Sequence, residues 1–480
     1  MAAPTQQKFA LPTLTAMVVG SMVGAGIFSL PQTFGRVTGG LGAIIAWCIA
    51  GGGMLMLAFV FQTLARRKPA LDAGVYAYAK AGFGDYLGFL SALGYWTVCC
   101  LGNVSYWVLI KSTLGALFPV FGDGNTVTAV ALSSMGVWLV HFMILRGVKQ
   151  AATLNTIVTV AKIIPILVFL GVVALAFKAD LFAANFDGGP LLAAEGLFTQ
   201  VRGTMLVTVF VFVGIEGASV YSRFAKKRSD VGLATLLGFL GVLCLLVLVT
   251  LLSYGIMARA ELAGLRNPSM AGVLQAVVGP WGAVFVSVGL IVSVLGAYLS
   301  WSLLAAEVLF SAARTETMPV FLAAENRNKV PFAALWLTNL LIQIFLIMTL
   351  FAEQAFLLAL KLTSSMILLP YLLTAAYALK LAVTGESYGP QPDGQAKGRA
   401  GDLARAALAT LYTAGLVYAG GLTFLLLSLV IYAPGTALFF LAQRERGQRV
   451  FTPVEGFIFA VAAAGAVLAV YGLATGRIIV

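Results

Sequence analysis

The chain has 480 residues, of which 60% are hydrophobic and only 10% charged, and its mean hydropathy of +0.98 exceeds what the core of a soluble domain of this size needs, so it reads as an all-α polytopic membrane protein. The net charge of +12 would suggest nucleic acid in a soluble protein. Here it follows from a cytoplasmic N-terminus, which places 21 of the 30 Lys and Arg in cytoplasmic segments and six outside, with Lys111, Lys162 and Lys361 inside spans.

Each crossing takes about 20 apolar residues, and charged or turn-rich breaks divide the sequence into about thirteen spans. The first, residues 11–34, contains GSMVGAGIFSLP, with Gly20, Gly24, Gly26 and Pro31 where uninterrupted Leu, Ile and Val would be expected. It is too long and too glycine-broken for a cleaved signal peptide. Glycine weakens a helix interior and lets backbone approach a ligand, and opened backbone at membrane depth is tolerated only where it lines a cavity. A binding site is the simplest reading.

Spans two to five cover about residues 40–64, 86–118, 126–145 and 153–177. Span six, 200–224, reads VTVFVFVGIEGASV and again breaks an apolar run, with Glu216 between Gly214 and Gly217. Spans seven to ten cover about 231–257, 279–312, 332–351 and 355–379. Spans one and six are thus both interrupted, each opens a set of five, and they enter from opposite sides. That pattern is an inverted repeat: residues 1–199 form one half and 200–387 the other, followed by a flexible linker at 388–402 and three accessory spans within 403–480. Positive helix ends at the first break suit a carboxylate, and freed carbonyls at the second suit an ammonium group.

Cys48, Cys99, Cys100 and Cys244 lie in apolar runs without metal spacing and read as small core residues. His141 is the sole histidine, a packing residue, which excludes a histidine-based metal or catalytic cluster within one chain. With no nucleotide loop and no paired catalytic acids, an enzyme is disfavoured; no metal and no cofactor is expected.

The strings GSMVGAGIFSLP and FVGIEGASV, with five plus five spans, resemble the amino acid, polyamine and organocation transporter superfamily, and within it the basic amino acid antiporters, most of all bacterial arginine/ornithine antiporters. The resemblance implies a five-plus-five inverted-repeat transporter core with helices 1 and 6 broken, in a bacterial inner membrane, with the C-terminus outside. It implies that Gly24, Ala25 and Gly26, with Ile27 beside them, receive the substrate carboxylate, and that the Val213 carbonyl receives the α-ammonium. Phe210 stands where an arginine/agmatine antiporter has a tryptophan over the guanidinium, which keeps a ring there. Trp301 lies on the transport path, Tyr95 at a gate, and Asn103 makes a substrate or gating contact. The resemblance further implies that Glu216 links protonation to helix movement and that Lys162 takes the place that sodium has in sodium-driven members. Glu307, the other acid within a span, is expected to pair with a cationic substrate or with Lys162. Lys361 with Thr363, Ser364 and Ser365 is a candidate outer gate, and Lys111 is expected to snorkel to the interface.

The implied function is exchange of external arginine for internal ornithine by alternating access. The alternatives are a proton-coupled permease for lysine or another cationic amine, and a transporter-fold substrate sensor. The implied partners are small cationic amino acids, the lipid bilayer and a second copy in a homodimer; nucleic acid is not among them.

Overall fold

A computed structural model describes residues 10–71, 74–147, 151–216, 228–352, 354–388 and 398–478. In hydrocarbon every backbone N–H and C=O must be paired within its own segment, so these apolar runs form helices. The first half contains α1 (Leu11–Met22), α2 (Leu30–Gly35), α3 (Gly40–Arg67), α4 (Val75–Phe83), α5 (Asp85–Leu117), α6 (Val127–Leu145) and α7 (Ala151–Leu175). Short helices α8 (Ala179–Ala184) and α9 (Pro190–Glu195) lead to α10 (Leu197–Phe212) and α11 (Arg228–Ser253). Then come α12 (Arg259–Gly264), α13 (Ser269–Val278), α14 (Pro280–Arg314), α15 (Phe332–Met348), α16 (Ala355–Thr384), α17 (Arg399–Glu445) and α18 (Pro453–Ala474). No strand occurs among the described residues.

Nine of the described helices are long and apolar enough to cross a membrane, and α1 with the segment Ala25–Gly35 makes a further span bent by 47°. Helix α10 is only 16 residues long, too short to cross alone, and the expected second half of span six, including Gly217, lies outside the described residues. Helix α17 is two expected spans in one: it turns at Gly421 (φ 76°, ψ 166°). Asp402 at its start contacts Arg67, and Glu445 at its end accepts from the Val320 amide just beyond α14. Both ends of this hairpin therefore lie at the same, basic end of the bundle.

Helix α5 is the central post. It packs on α4, α14, α15, α16 and α17, and nearly all of its apolar stretch is buried inside the protein. That position overturns the expectation for Lys111, which does not snorkel: it is fully buried, and its ammonium points to the Thr349 hydroxyl at 3.4 Å. Cys48 and Cys244 are corrected too, since both are exposed on the outside of the bundle, whereas Cys99 and Cys100 on α5 are buried. His141 is the packing residue expected, buried between Trp138 and Trp336 and within 2.9 Å of the Asn339 amide.

The accessory hairpin docks by ring against glycine. The Tyr412 ring occupies the space a Cβ at Gly53 would fill, and the Tyr432 hydroxyl does the same at Gly94, the close approach that small residues permit between membrane helices. At the basic end the hairpin is fastened by Asp402. Its carboxylate is 3% exposed and accepts from Arg67 Nε and Nη2 at 3.1 and 2.9 Å and from the Tyr388 hydroxyl at 3.1 Å, while the Arg67 guanidinium lies 3.5 Å over the Tyr388 ring. The expected linker is thus ordered at both margins, with α17 already begun at Arg399; its residues 389–397 lie outside the described residues.

Removing one member of a buried ion pair strands the other charge. Asp402→Ala is expected to destabilise the protein by about 3 kcal/mol, read as a lower unfolding temperature in detergent, whereas truncating the exposed Glu325 should leave that temperature unchanged.

Candidate functional site

Helix α1 ends at Met22, two residues before Gly24. The Val23 amide makes the last α-helical bond, to Val19, Gly24 is extended, and a 3-10 turn follows over Ala25–Ser29. A helix end leaves its last carbonyls, and a helix start its first amides, without intrahelical partners. The carbonyl end of α1 is met by Lys162 of α7, whose ammonium donates to the Gly20 carbonyl at 3.0 Å, a cation at a negative helix terminus. The Ser21 hydroxyl donates to the Gly214 carbonyl at 3.0 Å. The two breaks are therefore in direct contact.

Helix α10 ends at Phe212, and Gly214 turns the chain with φ 110°. A side chain there is doubly disfavoured, by that left-handed backbone and by the Ser21 carbonyl oxygen 2.5 Å from where its Cβ would lie. Two residues on, Glu216 is 2% exposed. One carboxylate oxygen accepts from the Tyr95 hydroxyl at 2.8 Å; the other accepts from the Tyr371 hydroxyl at 2.6 Å and from the Gly214 amide at 3.1 Å. Three donors converge on it from α5, α16 and the break itself. Protonation would add a donor to one of these oxygens, and the phenol oxygens of Tyr95 and Tyr371 stand within reach to accept from it.

Between the breaks lies a small cavity of about 30 Å³. Gly24, Ala25, Gly26 and Ile27 form one wall and Phe210 and Val213 another, with Trp301 opposite. The Gly26 position is tight, since an added Cβ would lie 2.6 Å from Val211 Cγ1 and 2.9 Å from Phe210 Cδ1. No Asp, Glu, Lys or Arg is among the lining residues; a ligand meets amides, carbonyls and rings. The Phe210 ring is edge-on to Phe356 at 6.5 Å, and Phe356 lines a second, polar cavity with Arg36, Asp123 and Arg266. The two rings thus stand between the first cavity and this second one. Among the described residues, no three His, Cys, Asp or Glu side chains are grouped to hold a metal ion.

Of the residues singled out from sequence, Gly24, Ala25, Gly26, Ile27, Phe210, Val213 and Trp301 line the cavity. Tyr95 and Glu216 pair behind the break, and Lys162 supports it from the other side. Asn103 does not line the cavity: it turns to Ser302, donating at 3.2 Å, because it lies one residue past the face that carries Gly102. Glu307 is exposed on α14 and is not among the lining residues, so the expectation that it meets the substrate or Lys162 is not met; the Lys162 ammonium is at the Gly20 carbonyl. Of the candidate outer gate, only Thr363 lines the cavity. Ser364 donates to the Leu206 carbonyl, Ser365 to that of Phe424, and Lys361 lies over the Phe424 ring. Tyr106 was missed, although Val98, Gly102 and Tyr106, all in the lining, are spaced by four and share one helix face.

A family model described as amino acid permease matches residues 9–462. The chain belongs to the amino acid permease family. This permease is 53% identical to an arginine/ornithine antiporter of Pseudomonas aeruginosa, over 99% of both chains. It is 43% identical to an L-lysine transport protein of Corynebacterium glutamicum over 99% of this chain and 97% of the relative. An arginine/agmatine antiporter of Chlamydia pneumoniae is 39% identical over 90% of each.

The Glu216 cluster is testable apart from transport. Tyr95→Phe and Tyr371→Phe each remove one donor to the carboxylate and are expected to cost about 1.5–3 kcal/mol. Thermal unfolding of the single and double variants in detergent should show a non-additive loss, because both phenols serve one acceptor.

Proposed function

We propose that this permease exchanges external arginine for internal ornithine across a bacterial inner membrane by alternating access. The observation that carries the reading is the charge-free, ring-lined cavity between two mutually bonded helix breaks, in a chain 53% identical throughout to a relative named for that exchange. Gly24, Ala25 and Gly26 would receive the α-carboxylate on their amides, and the Val213 carbonyl would receive the α-ammonium. Phe210 and Trp301 would face the cationic tail through their π surfaces. Rings suit a carrier because they hold a cation without the ion pair that would slow its release.

The repeats 1–199 and 200–387 would then move relative to one another, with 403–480 as an accessory unit. Glu216, with Tyr95, would couple that movement to the state of the break, and Lys162 would hold the α1 carbonyl end that a dissolved cation could otherwise occupy. The excess of Lys and Arg at the Arg67 end supports placing that end and the N-terminus in the cytoplasm, with the C-terminus outside. Exchange becomes obligate if the empty carrier reorients slowly and substrate bridging both breaks lowers the barrier.

Proteoliposomes preloaded with ornithine, lysine, agmatine or buffer, with and without a proton gradient, decide the matter. Labelled arginine should enter only against internal ornithine or arginine. The lysine-transporting relative gives the second reading its arm: uptake into buffer-loaded vesicles under a proton gradient would establish a proton-coupled cationic amino acid permease. Gly26→Val should reduce exchange by about 100-fold by displacing Phe210. Phe210→Leu should weaken arginine binding about tenfold while Phe210→Trp retains it, measured by titration calorimetry in detergent.

A further inference from the structure

Besides the cavity between the breaks, the protein holds a larger one of about 260 Å³ at the seam between the core and the accessory helices. Its walls come from α5, α16, both arms of α17 and α18, and they are almost wholly apolar, Leu90, Leu368, Leu429 and Ala462 among them. It opens on the outside of the bundle, because Leu425 and Val461, which line it, are 40% and 54% exposed. Along α17 it runs from Gly421 to Tyr432, about 16 Å at 1.5 Å per residue. That length is close to one leaflet of hydrocarbon, about 15 Å.

Charge marks one end of this groove. Arg202, exposed on α10, places its guanidinium 5.3 Å over the Tyr418 ring, and its Nε donates to the Ala419 carbonyl at 3.4 Å. The same guanidinium approaches Gly421, a lining residue. The Lys361 ammonium lies 5.5 Å over the Phe424 ring, on the other side of the hairpin turn. Among the described residues neither cation has a carboxylate within 4 Å. Gly421 stands about 28 Å along α17 from Asp402, so the hairpin turn and its two cations sit at the membrane boundary opposite the basic end.

A leaflet-length apolar groove, open to lipid and flanked at the headgroup level by two cations, has the charge and shape of one amphiphile. We propose that this groove is a site for an anionic phospholipid, with an acyl chain between the core and the accessory hairpin and its phosphate between Arg202 and Lys361. Arg202 is suited to phosphate because its planar fork can pair two oxygens while its face stays on Tyr418.

The test is native mass spectrometry and thermal unfolding of the delipidated protein titrated with palmitoyl-oleoyl phosphatidylglycerol, with dioleoylglycerol and inorganic phosphate as separate arms. Phosphatidylglycerol should be retained and should raise the unfolding temperature; inorganic phosphate alone should do neither, and dioleoylglycerol should bind at least tenfold more weakly. Arg202→Gln should weaken phosphatidylglycerol retention about tenfold, Arg202→Lys should recover part of it, and Ala462→Phe, which fills the groove, should abolish retention while leaving the protein folded. Equal retention by wild type and Arg202→Gln, undiminished retention by Ala462→Phe, or protection by inorganic phosphate alone would overturn the proposal.

Discussion

Backbone that leaves the helix inside a membrane must find partners there, and the centre of this permease is arranged around that constraint. Span one gives up its helix at Gly24 and span six at Gly214, and each break is stabilised by the other through the Ser21 hydroxyl on the Gly214 carbonyl. The remaining demands are met by side chains from outside the broken pair. Lys162 takes a carbonyl of α1, and Tyr95 and Tyr371 saturate Glu216, which in turn accepts the Gly214 amide.

The division of labour follows from dielectric. Charges that would be costly if exposed to hydrocarbon are kept behind the breaks, each with partners. The cavity itself keeps only dipoles and rings. A zwitterion with a cationic tail can be held by such groups without a fixed counter-ion, and two substrates with the same head and different tails can share one site.

How much of this was legible in the sequence depended on whether backbone or side-chain direction was at issue. The breaks were legible because glycine and proline clustered in an apolar run mark backbone that leaves the helix, and the residues nearest to them, Gly24 to Ile27, Phe210 and Val213, line the cavity as expected. Direction was less accessible. Hydropathy cannot separate a face turned to lipid from a face turned to the bundle, since both are apolar; hence Cys48 and Cys244 fell on the outside and Lys111 in the interior of the central helix. Asn103 was placed by string similarity and Glu307 by its depth in an apolar span, and since a helix rotates each successive residue by about 100°, neither criterion fixes the face; both lie off the cavity. The same rotation applied to Val98 and Gly102 would have found Tyr106.

The knot at Asp402 has a mechanical consequence. It joins the end of α3, the segment leaving α16 and the start of α17 at the basic end of the bundle, so three parts of the chain far apart in sequence share one point of attachment. Were one of these helices to rotate against another with the knot intact, it would pivot there, and displacement would grow with distance from the pivot. The arc swept at the far face, where Gly421 lies, would then exceed the arc near Asp402, and a pair of probes on α3 and α17 would register movement in proportion to their height above Asp402.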